Sequence, residues 1–222
     1  MEQEGTLTRA RLKTPRAAAI AGIVFSILFI ISVLLIRISI PANPEGQGMW
    51  LSSGWKTVNL ALHLLPFAGI AFLWFIGVLR DRMGSYEDRF FATVFLGSGL
   101  LFLAMLFASA AVAGGIMMAY GMTPGKLIES GTYTFGRTVA YQIANVYATR
   151  MAGVFMISTS TIAIRTGIFP RWMAVLGYAL ALLLLLGAGS LHGALLVLPL
   201  WVLLISAHIL LANIKPEPVS DL

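Results

Sequence analysis

Arg150 stands apart from the other cations of this sequence. It sits in YQIANVYATRMAGVFMISTST, a stretch that carries no other charge. A guanidinium is always charged and offers five N–H donors in a fixed fork, so where water is scarce it calls for an anion or a polar cavity. The same stretch places Gln142, Asn145 and Thr149 at i, i+3 and i+7, a single helical stripe, with Tyr147 and Arg150 to one side of it. Amides, a phenol and a guanidinium together make a donor-rich surface suited to a small polar or anionic ligand. The plainer reading is a set of interhelical hydrogen bonds, with the arginine reaching out to the nearest polar surface.

His63 is the second residue with chemical reach. It lies in ALHLLPFAGI, three residues before Pro66, which lacks the N–H that would bond the Leu62 carbonyl and so favours a kink. Counted inward from Val58, His63 is roughly 8 Å deep, and Arg150, counted back from Arg165, lies at a comparable level. Convergence of His63, Gln142, Asn145, Tyr147 and Arg150 on one outer-leaflet cavity is therefore expected, against the plainer reading of His63 as a packed hydrogen-bonding residue. His192 belongs to an outer link, and His208 is near the opposite end of its segment.

The absences are as informative. All nine carboxylates are expected in loops or tails, outside the six predicted helices, whereas proton-coupled transporters place Asp or Glu at membrane depth and di-metal bundles need inward-facing Glu and Glu-x-x-His pairs. With no cysteine, thiolate nucleophiles, Cys-ligated zinc and iron–sulfur clusters are excluded. No HExxH, P-loop or GxGxxG fingerprint occurs. No metal, cofactor or catalytic residue is assigned, and a non-enzymatic role is favoured.

Of 222 residues, 59% are hydrophobic and 11% charged, against about 45–50% and about 25% in a soluble domain. That excludes a soluble enzyme, a nucleic-acid-binding module and a disordered chain. The net charge of +6 comes from Lys and Arg at the ends of apolar runs, which orient a membrane protein and do not form a phosphate-binding face. Nucleic acid is thus no partner, and the lipid bilayer is.

The pattern predicts an all-α, polytopic transmembrane bundle of six helices, over about 17–36, 58–79, 91–120, 139–164, 172–188 and 193–214. A basic segment, 1–16, precedes the membrane domain of 17–214, and a polar tail, 215–222, follows it. The first apolar run is longer than a signal h-region and lacks a small-x-small site, so it reads as a retained span. With the N-terminus in the cytoplasm, inner segments hold ten Lys and Arg and outer segments four, Arg150 being left within a helix. Both termini are therefore expected inside. Trp50 and Trp55 suit an interfacial belt, and Thr123-Pro124 reads as a cap with proline at the first helical position. In the third helix Ala104, Ala108, Ala111 and Gly115 form a small-residue face for close packing, within a protomer first and between protomers second.

Six-helix intramembrane serine proteases resemble this chain in helix count and in a histidine on the last helix. Their G-x-S-G nucleophile motif belongs on the fourth helix, which here reads RMAGVFMISTST, so the match is rejected. The stretch LHLLPFAGIAFLWFIGVLRDRMGSYEDRFFATVFLGSGLLF, with GIFPRWMAVLG, resembles an uncharacterised family of small polytopic bacterial integral membrane proteins. The resemblance covers about a third of the chain; it implies a multi-pass protein of the bacterial inner membrane and transfers no function. The leading expectation is a homo-oligomeric channel or transporter for a small polar or anionic solute. A non-catalytic subunit of a larger membrane complex comes second. A membrane enzyme acting on a lipid or quinone, with His63 or His192 as acid or base, comes third.

Overall fold

Hydrophobic runs this long leave no lipid-compatible fold but helices or a closed barrel, since every backbone donor must be satisfied within the protein. The computed structural model describes residues 2–40, 48, 50–83, 89–187 and 193–212, and it is all-helical, with no strand among the described residues. The elements are α1 (Glu2–Ser39), α2 (Trp50–Ser53), α3 (Trp55–Met83), α4 (Arg89–Met122), α5 (Pro124–Glu129) and α6 (Thr132–Gln142). A π-helical turn, Ile143–Ala148, then leads into α7 (Thr149–Thr166), followed by α8 (Arg171–Gly187) and α9 (Ala194–Ala212).

Four helices are long and apolar enough to cross a membrane: Ala17–Ser39 of α1, Trp55–Arg80 of α3, Phe90–Met122 of α4, and α9. This is the pattern of a multi-pass membrane protein. α8 is apolar but has only 17 residues. The path from α6 through the π turn to α7 carries Arg137, Arg150 and Arg165, which dilute its apolar character. On α3, Trp55 and Trp74 are both exposed; at 1.5 Å per residue they stand about 28 Å apart, the thickness of a hydrocarbon core with an aromatic at each interface.

Two features of the helices go beyond the sequence-based spans for physical reasons. The first span begins at Ala17 as expected, and its helix α1 extends back to Glu2 because Leu, Arg, Ala and Lys of the basic segment are good helix formers that hydropathy alone does not register. The span expected over 139–164 is part of a longer helical path, 132–166, interrupted by the π turn. The loop 84–88, the link 188–192 with His192, and the tail lie outside the described residues.

α1 packs lengthwise on α3 and α9, while α7 packs on α8 and α4. At the junction the Phe72 ring meets Phe25 (4.5 Å), Phe102 (5.5 Å) and Phe155 (5.1 Å), tying α3 to α1, α4 and α7. Rings at these separations add about 0.5–1.5 kcal/mol each beyond their buried area. A second core covers one end of the bundle, where Trp50, Leu51, Val58, Ile116, Leu127 and Tyr133 pack together. There the Trp50 indole N–H donates to the Tyr133 hydroxyl at 2.8 Å, joining chain segments 83 residues apart. α5 starts with Pro124 at its first position, as expected, although the Thr123 side chain makes no capping bond. α4, at 34 residues, is about 51 Å long, and its far end, around Ile116, belongs to this second core.

Candidate functional site

The donor-rich stretch lies on the π turn and its flanks. A π turn bonds i to i+5 and so inserts one residue into the helix, rotating the downstream residues by about 100° relative to an uninterrupted α-helix. Side chains add hydrogen bonds to carbonyls along this stretch. The Ser109 hydroxyl, from α4, donates to the Ala140 carbonyl at 2.8 Å. Asn145 Nδ2 donates to the Tyr141 carbonyl (3.2 Å), and the Thr149 hydroxyl to the carbonyls of Asn145 (2.7 Å) and Val146 (3.1 Å). The polar residues of this stretch thus serve their own helix, with Ser109 the one donor from a neighbour among these bonds.

The rotation sorts the stripe into two sets. Ala148 and Thr149 are buried and Asn145 is half-buried, whereas Gln142, Tyr147 and Arg150 are exposed on the outside of the protomer. Thr149, which α-helical spacing aligns with Gln142, turns into the core at 1% exposure. Arg150 makes no ion pair among the described residues; the one carboxylate whose side chain is described is Glu129, on α5. Outward-facing amide, phenol and guanidinium groups are all capable donors, so this surface is chemically suited to an acceptor-rich or anionic species, and in a water-poor layer each contact is strengthened.

His63 is exposed on α3, and its Nδ1 is 2.7 Å from the Asn59 carbonyl. A carbonyl can only accept, so Nδ1 carries the hydrogen and, in the neutral ring, Nε2 is left as an acceptor. Pro66, also exposed, is accommodated within an unbroken α3. α3 packs chiefly on α1, α4 and α2 and meets α7 through Phe72 and Phe155, and the π turn packs on α4, α6, α7 and α9, so α4 and α7 adjoin both. No hydrogen bond joins His63 to Gln142, Asn145, Tyr147 or Arg150. Gln142, Tyr147 and Arg150 are thus grouped on one helical path, and His63 stands on α3.

Ala104, Ala108, Ala111 and Gly115 are all exposed, and a Cβ built on Gly115 would meet nothing within 4 Å. The small-residue face of α4 is left open in the protomer. Among the described residues no cluster of three or more His, Cys, Asp or Glu is placed to hold a metal ion. Reasoning from sequence overlooked Ser109, Ser160 and Ser206. Ser160 and Ser206 are buried, and neither hydroxyl has a hydrogen-bond partner among the described residues.

The fold and this face define a class, an all-helical protein with four helices able to cross a membrane and an outward donor surface on a π turn. No family model, no curated protein and no solved structure matches the chain.

Proposed function

We propose that this chain is a homo-oligomeric, multi-pass channel or transporter for a small polar or anionic solute, with six spans and both termini in the cytoplasm of a bacterial cell, in its inner membrane. The fourth and fifth spans of that count are the α6–π–α7 path and α8. The observation that carries the reading is the exposed Arg150 at the start of α7, on the same helical path as the exposed Gln142 and Tyr147 and making no ion pair among the described residues. An arginine facing lipid at mid-helix costs about 2.5–3.5 kcal/mol on insertion scales, so water or a neighbouring protomer is the cheaper surrounding. π turns recur at functional sites because the re-registered helix redirects side chains. The open small-residue face of α4 offers the close approach that an assembly requires.

The test is solute flux into vesicles containing the purified protein. Arg150→Ala is expected to lower anion flux at least tenfold, and Arg150→Lys to keep part of it because the charge survives without the fork. Unchanged flux in folded Arg150→Ala protein would falsify the site. A second reading, an accessory subunit of a larger membrane complex, is favoured by the same two open faces together with the long α4. Native mass spectrometry after gentle extraction separates the two: a symmetric assembly of this chain supports the channel, and stoichiometric foreign subunits support the accessory role.

A further inference from the structure

The basic residues ahead of the first span lie on the same helix as the span itself. α1 runs unbroken from Glu2 to Ser39, and its membrane-crossing part begins at Ala17. Arg9, Arg11, Lys13 and Arg16 thus occupy the two helical turns just before the apolar run. Arg9, Lys13 and Arg16 are spaced i, i+4 and i+7, which puts their positions on one stripe. At 1.5 Å per residue, Arg9 is about 12 Å along the helix from Ala17 and Arg16 less than 2 Å. The polar layer of each leaflet is about 5–8 Å thick, and charge is felt about 8 Å further at physiological salt. All four cations fall inside that range. Pro15, between Lys13 and Arg16, lacks the N–H that would bond the Arg11 carbonyl, so α1 bends most easily there. The acids of the segment, Glu2 and Glu4, stand at its far end, where they suit the positive pole of a helix N-terminus and leave the juxtamembrane turns uniformly basic.

We propose that the helical arm of α1 ahead of Ala17 is a docking surface for anionic phospholipid headgroups, which its Arg9–Lys13–Arg16 stripe and Arg11 bind at the membrane face from which the arm emerges. The partner follows from charge complementarity: four cations held at a lipid interface match a layer of phosphate monoanions. Each Lys or Arg near such a surface strengthens association by about fivefold. This holds whatever the protein conducts, so its failure and the failure of the channel reading are separate events.

The chain contains no cysteine, so the full-length variant Thr6→Cys, labelled with a polarity-sensitive fluorophore, reports the arm alone. It is reconstituted in phosphatidylcholine vesicles and in vesicles that also contain phosphatidylglycerol. The expected result is a blue-shifted emission only with phosphatidylglycerol, reversed by added salt. Adding Arg9→Gln and Arg11→Gln, which leaves Lys13 and Arg16 to maintain insertion, is expected to raise the phosphatidylglycerol needed for half of the shift by more than tenfold. Equal emission in both vesicles overturns the proposal, as does a full response in the doubly neutralised arm. A shift in pure phosphatidylcholine on addition of inorganic phosphate overturns the lipid assignment in favour of a free anion.

Discussion

Ser26, Ser98, Ser158 and Thr159 return their hydroxyls to the carbonyl four residues back, the usual resolution for a hydroxyl inside a membrane helix. Ser160 and Ser206 do not. Each Oγ lies instead against a glycine of the facing helix, Gly177 on α8 and Gly22 on α1, where a weak Cα–H···O contact is the best available interaction. A buried hydroxyl without a partner costs about 1–3 kcal/mol, so Ser160→Ala and Ser206→Ala are expected to leave thermal stability in detergent equal or higher. A clear drop in Tm would reveal a partner for the hydroxyl. The glycines behave oppositely. A Cβ on Gly22 runs into Ser206 Oγ and comes within 2.9 Å of the Phe75 ring; one on Gly177 meets Ser160 Oγ and the Trp201 ring at 2.6 Å. Gly22→Ala and Gly177→Ala should each destabilise by about 1–3 kcal/mol through overpacking, read from the same unfolding curves. None of these four positions is legible in the sequence, because serine and glycine are common in membrane helices and their pairing depends on which helices face each other. Arg150 is legible, since a lone charge in a long apolar run is conspicuous whatever it touches.

At the scale of the element, the π turn decides which residues share a face. Spacing by 3.6 aligns Gln142, Asn145 and Thr149, but the inserted residue sends Thr149 into the core and leaves Gln142, Tyr147 and Arg150 outside. IANVYA carries no glycine or proline to announce a change of pitch; Ser109 of α4, a residue distant in sequence, supplies the donor at Ala140. Deleting Val146 is expected to restore a regular α-helix and rotate Arg150 by about 100° relative to α6. The coupling is measurable: Ser109→Ala should cost about 0.6–2 kcal/mol in the native chain and much less in the deletion background, a double-mutant cycle read by thermal unfolding. Equal cost in both backgrounds would disconnect Ser109 from the π turn. α1 teaches a similar lesson in reverse. Its apolar run is plain from hydropathy, while its extension back to Glu2 depends on helix propensity, a weaker signal than burial.

For the whole molecule, the membrane class follows from composition alone, and four crossing helices follow from length and apolar character together. What hydropathy could not weigh is which faces remain open after the helices pack. α4 turns Ala104, Ala108, Ala111 and Gly115 outward, and α7, just after the π turn, presents Arg150. If α4 joins copies of the chain, Ala108→Cys should form an intermolecular disulfide on mild oxidation in membranes, because bridged cysteines need Cα atoms within about 7 Å. The absence of native cysteine makes the product unambiguous. Failure to cross-link at positions 104, 108 and 111 alike would argue that this face meets lipid alone.

The pairing of α1 with α9 also bears on how the protein is made. Among the described helices α1 is made before α3 and can pair with it soon afterwards, yet the flank that holds Gly22 must wait for Ser206 of α9. While α3 to α8 are being made that seam lacks Ser206, and it closes once α9 has left the ribosome. A chain stalled before α9 would therefore offer quality-control proteases a half-open α1, and interrupted translation products should be cleared faster than the finished protein is turned over.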